Sequence, residues 1–127
     1  METLNFDTGV CSYRIGQGVL RFNPTDPNVY ARFLEAADRL NALEESILRQ
    51  AQTEPVIPLL AWADAQIKAL LAEIFGGDND FSAIFGGVNL LAVGENGERL
   101  ITNFLAAIEP VLTEGARRCA AQEAAKL

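Results

Sequence analysis

Histidine is missing from this chain of 127 residues. Its absence removes Ser-His and Cys-His nucleophile pairs and every imidazole metal ligand. Cysteine is scarce, with only Cys11 and Cys119. A small secreted disulfide scaffold carries more, at regular spacing, so both are read as reduced thiols of a cytosolic protein, packed or inert. The opening METLNFDTG has neither a basic start nor an apolar run, so no signal peptide is expected. The most apolar stretch, VIPLLAWADAQIKALLAEIF over 56–75, is broken by Asp64, Lys68 and Glu73. Those charges make a membrane span costly, and the chain is read as soluble with no membrane partner. Basic residues are few: 10 Lys and Arg against 17 Asp and Glu give a net charge of −7. That sign repels phosphate backbones and argues against nucleic acid.

Apolar residues make up half the chain, enough for one domain with its own core. The expected fold is mainly α, with an N-terminal β-hairpin within 1–24 packed on three to four helices. Cys11 to Ile15 and Val19 to Phe22 flank Gly16-Gln17-Gly18, which reads as two strands and a turn. Tyr13 and Ile15 share one side, with Val19 or Leu20 across from them. Two strands alone are marginal, so the hairpin must lie on helices.

Four helical segments follow, at 26–52, 56–75, 79–85 and 97–124. Asp26 suits an N-cap and Pro27 the first helical position. Val29, Phe33, Ala37, Leu40, Leu43 and Ile47 then form one stripe, with Glu35–Arg39 and Glu45–Arg49 as outer i,i+4 pairs. In the second helix Pro58 fits the first turn and Asp64–Lys68 pairs on the wet side. Gly76 closes that helix through a left-handed conformation. Val88–Val93 is an apolar connection, and Glu95-Asn96-Gly97 signals a turn. The last helix turns Leu100, Ile101, Phe104, Leu105, Ile108 and Leu112 to one face. Pro110 is expected to bend it near Glu109, with a tail that frays beyond Cys119.

The tetrapeptide Ile-Phe-Gly-Gly occurs at 74–77 and again at 84–87. The stretch between offers Asp78, Asp80 and Ser82 in calcium-loop order, but Ala83 replaces the required glycine and Asn89 the bidentate glutamate. It lacks the Gly-Lys-Ser/Thr ending of a phosphate loop and the third glycine of a dinucleotide loop. Gly16-Gln17-Gly18 fails as a ligand loop too. The repeats are therefore read as helix stops, with Asp78, Asn79 or Asp80 capping a short helix between them. Glu44-Glu45 reads as a solvated pair and Trp62 as core or interface. No catalytic, cofactor or metal site is expected. What remains is surplus apolar surface: the stripe over Leu59, Trp62, Ile67, Leu70 and Phe75, with Phe81 and Phe85 beyond it. It offers a groove for a partner helix.

The order of these pieces resembles a known family. Leu4-Asn5-Phe6-Asp7 leads the hairpin, and Phe22-Asn23-Pro24-Thr25-Asp26 precedes the Phe33/Leu40 helix. Phe75-Gly76 and Phe85-Gly86 come next, then Asn103-Phe104-Leu105, Ile108-Glu109-Pro110 and Arg117-Arg118. Over nearly its whole length the chain is similar to the tail assembly chaperones of long-tailed phages and prophages of Gram-positive bacteria. Gly77 and Gly87 lie outside that pattern. The resemblance implies a non-enzymatic helical protein of the bacterial cytoplasm. It would bind the long helical tape-measure protein, keep it soluble, and help tail-tube subunits polymerise around it. A homo-oligomer is compatible with this reading. The alternatives are a structural connector of the tail and a host small-molecule-binding or regulatory helical domain.

Overall fold

The computed structural model describes residues 1–125. Strands β1 (Cys11–Ile15) and β2 (Gly18–Phe22) are followed by helices α1 (Pro27–Gln50), α2 (Val56–Phe75), α3 (Phe81–Ile84) and α4 (Leu100–Ala125). The architecture is the expected mainly helical domain with an N-terminal hairpin. Among the described residues no helix is long and apolar enough to cross a membrane.

The hairpin pairs antiparallel through Cys11↔Phe22, Tyr13↔Leu20 and Ile15↔Gly18. A two-residue loop with Gly16 at φ 58 joins the strands, the pattern of a type II′ turn. Leu20 and Phe22 are buried against the helices, while Val19 is exposed. Residues 1–10 lie outside the ladder, so Leu4-Asn5-Phe6-Asp7 does not belong to the hairpin. Asn23 donates to the Thr8 carbonyl at 3.0 Å, and Gly9 turns at φ 72. Together they lead the chain off the sheet.

Asp26 caps α1 by accepting from the Asn28 amide at 2.9 Å, with Pro27 next in line. The buried face runs through Val29 and Ala36, with Phe33, Leu40, Leu43 and Ile47 half-buried beside them. Ala37 is exposed, a correction of one position. Alternating steps of four and three keep a helix stripe straight, and Ala36 satisfies them where Ala37 does not. Neither outer i,i+4 pair forms. Arg39 reaches across to Glu73 on α2 at 2.6 Å instead, with both side chains mostly in water. Such a pair is worth at most about 1 kcal/mol.

Both Ile-Phe-Gly-Gly repeats end a helix. Gly76 takes φ 63 and ψ −161, an extended glycine conformation rather than the expected left-handed helical one. After α3, the Gly87 amide bonds to the Ser82 carbonyl and that of Gly86 to Ala83, closing a Schellman motif with Gly86 at φ 65. Helix α3 is shorter than expected. Asp80 is its N-cap, accepting from Ser82 and Ala83. Helix α4 begins at Leu100, three residues late, because Arg99 is engaged in a bridge with Val93. Pro110 does not divide α4, which stays helical to Ala125 past the expected fraying point. Pro110 and Ala106 are both exposed, so water can serve the carbonyl that Pro110 leaves unbonded.

Two glycines permit close backbone approach. A Cβ on Gly18 would collide with the Ile84 backbone, and one on Gly115 with the Pro24 carbonyl. Both neighbours are main chain and cannot swing aside. Gly115→Ala and Gly18→Ala should each destabilise by about 3 kcal/mol, at the upper end of the range for overpacking. Thr113→Ala, two residues before Gly115 and exposed, should fall within about 0.5 kcal/mol of the parent. Urea midpoints of the three variants check this; similar midpoints for all would mean that the two backbone contacts are not tight.

Candidate functional site

Five of the seven residues expected to meet a partner are interior. Leu59, Ile67, Leu70, Phe75 and Phe81 are buried. The apolar stripe of α2 is wide because it faces α1 on one side and α3 and the 88–91 segment on the other. Phe85 is half-buried, its ring edge-on to Phe104 with centroids 5.3 Å apart. Trp62 is the exception at 45% exposure.

The surface that does open lies beside these residues. An apolar groove of about 210 Å³ runs between α1, α2 and the start of α4. Leu40, Leu43 and Ile47 form one wall, Leu60 and Ile67 the floor, and Leu91 and Leu105 the other wall. Glu44 and Arg99 stand at its rim. Leu48, 65% exposed, extends it toward the α1–α2 turn. There Trp62 borders a second, shallower hollow with Pro55 and Pro58, and Val56 and Ile57 are exposed nearby. Leu40, Leu43 and Ile47 are legible as part of a helix stripe, but nothing in their spacing separates a groove wall from a core. Leu91 and Arg99 carry no periodic signal at all.

Polar ties hold the far wall in place. Lys68 sits 2.9 Å from Asp64, and its side chain is only 10% exposed against 15% for its partner. The pair is therefore not on the wet side of α2; the 88–91 segment covers it. Lys68 also donates to the Val88 carbonyl at 2.8 Å, and Asp64 accepts from the Leu90 amide at 2.8 Å. Asn89 donates to Leu60, and Arg99 to the Leu91 carbonyl at 2.6 Å. Irregular backbone must find such partners when buried. Leu90, fully buried, is the apolar plug that these bonds seat.

Among the described residues no group of three or more Cys, Asp or Glu is placed to hold a metal ion, and no polar residue is buried. Cys11 and Cys119 are both free thiols. Cys11 is exposed on β1 rather than packed, and Cys119 is half-buried. Burial pushes the Tyr13 phenol up, and the Cys11 thiol beside it adds to the effect, while Arg118 opposes it. The hydrogen bond from Arg117 holds the Glu114 carboxyl below its usual range on the open face of α4. None of these groups lies at the groove.

The chain matches no family model, no curated protein and no solved structure.

Removing the Asp64 carboxylate leaves Lys68 without its counter-ion and the Leu90 amide without an acceptor. Asp64→Ala should cost about 3 kcal/mol. Asp64→Asn keeps an oxygen for Leu90 and should lose less. Hydrogen exchange of the Leu90 amide should quicken more than that of the α2 core in Asp64→Ala. Equal acceleration everywhere would mean that the tie supports the whole domain rather than the groove wall.

Proposed function

We propose that this protein is a non-catalytic assembly chaperone of the phage-tail kind, which holds an apolar helical segment of a tape-measure protein in the groove between α1, α2 and α4. One observation carries the reading: an open apolar groove, continued by exposed Leu48 and Trp62, on a chain of net charge −7. An amphipathic helix docks by laying an apolar face in such a groove. Strong net charge keeps the carrier, and an aggregation-prone client on it, in solution. The resemblance in the order of the hairpin, the Phe-Gly stops and the Asn103-Phe104-Leu105 helix points the same way. In this role the protein acts in the bacterial cytoplasm and assists tail-tube subunits during polymerisation. At this groove a small-molecule site is less well supported, since about 210 Å³ is smaller than the roughly 300–1,000 Å³ of typical ligand pockets.

Co-expression with the tape-measure protein of the same gene cluster tests the proposal. The client should stay soluble with the parent chain and precipitate with Leu48→Glu/Trp62→Glu. Both substitutions fall on exposed residues, so stability should change by no more than about 0.5 kcal/mol each. Phe75→Ala should instead unfold the carrier, at a cost of about 4 kcal/mol. A client that is equally soluble with and without the chain would overturn the proposal. Recovery of the chain in finished virions would favour a tail connector.

A further inference from the structure

The two edges of the hairpin are treated differently. On β2 the peptide group of Arg21 faces away from β1. Its N–H donates to the Asn79 side chain at 3.0 Å, and its carbonyl accepts from the same side chain at 2.8 Å. Asn79 thus stands in for a third strand. On β1 the two-residue turn makes Ile15 and Gly18 a hydrogen-bonded pair, as are Tyr13 and Leu20 two residues on. The N–H and C=O groups of Ser12 and Arg14 therefore face outward, and no described residue bonds to them. This edge has no proline, bulge or covering element, the usual protections of an open strand.

Next to it lies an apolar arm with nothing to cover. Leu4 is 86% exposed and Phe6 72%. They alternate with Asn5 and Asp7, the period of a strand. The arm does not fold back on its own β1. Thr8 is held instead by Asn23 at the end of β2, and the Asn23 amide lies where a Cβ on Gly9 would be.

We propose that two copies of this chain exchange N-terminal arms, with residues 4–7 of each copy adding as an antiparallel strand to the open β1 edge of the other. Three features select the second copy as occupant. Pairing Asn5 with Arg14 and Asp7 with Ser12 uses both outward peptide groups on the edge. The same register sets Phe6 beside Tyr13 and Leu4 beside Ile15, extending the half-buried face of the hairpin. It also places Asp7 diagonal to Arg14, on the face that carries Arg21. Neither arginine has an ion-pair partner among the described residues, so both are open to the incoming carboxylate. The arrangement is an exchange of identical elements and closes with two-fold symmetry. It turns a marginal two-stranded ribbon into a three-stranded sheet in each copy. It is independent of the groove.

Sedimentation velocity at about 100 µM, where a dimer of micromolar affinity is saturated, should give twice the 13.8 kDa chain mass. Deleting residues 2–6 removes exposed residues and should return the monomer with an unchanged circular dichroism spectrum. Ser12→Pro deletes one outward N–H without touching the β1–β2 ladder and should weaken association by roughly tenfold or more. Arg14→Asp should weaken it as well, and adding Asp7→Lys should restore it. A monomeric parent chain at this concentration overturns the proposal, as does a dimer indifferent to the arm deletion.

Discussion

The ring of Phe75 is the point on which the domain closes. It is the last residue of α2, and Gly76 releases the chain immediately after it. Its ring meets Phe22 of β2 at 4.9 Å between centroids, Phe81 of α3 at 5.8 Å and Phe104 of α4 at 6.2 Å. One side chain thus touches the hairpin and two helices besides its own. Edge-on and tilted aromatic contacts of this kind add about 1 kcal/mol each beyond burial. A two-stranded ribbon has no independent stability, so the hairpin exists because Phe22 and Leu20 reach this cluster. The glycines make the approach possible, Gly18 against Ile84 and Gly115 against Pro24, by letting backbone touch backbone where side chains would hold the layers apart.

The sequence was a good guide wherever one local rule acts alone. Asp26-Pro27 at the start of α1, the Phe-Gly stops and the turn at Glu95-Asn96-Gly97 each depend on a few adjacent residues, and each appears where the rule puts it. The element order followed from these. Legibility failed where the deciding partner is distant in sequence. Asp64–Lys68 looks like an exposed helix pair until the 88–91 segment covers it. Arg39 has a sequence neighbour in Glu35, but Glu73 across the α1–α2 contact wins. Pro110 has the local mark of a helix breaker, yet α4 continues because the unbonded carbonyl falls on its wet side.

The same limit explains the candidate site. A broad apolar stripe on one helix cannot say which of its residues face a neighbour within the domain and which face outward. On α2 nearly all face inward, because α1, α3 and the 88–91 segment together surround it. The groove falls instead where the half-buried row Leu40/Leu43/Ile47 and the pair of buried Leu91 and half-buried Leu105 fail to meet over Leu60 and Ile67. No single helix carries that gap. It is a property of how far apart α1 and α4 are held, and the residues setting that distance lie elsewhere.

Core and groove consequently rest on different forces. The aromatic cluster is apolar, non-directional and central, and it sets the stability of the domain. The far groove wall is irregular backbone fixed by directional bonds from Asp64, Lys68, Asn89 and Arg99. Segments held mainly by such bonds open at lower free energy than packed cores. Leu90 and Leu91 nonetheless belong to the same buried core as Phe75, so the bonds orient the wall while burial anchors it.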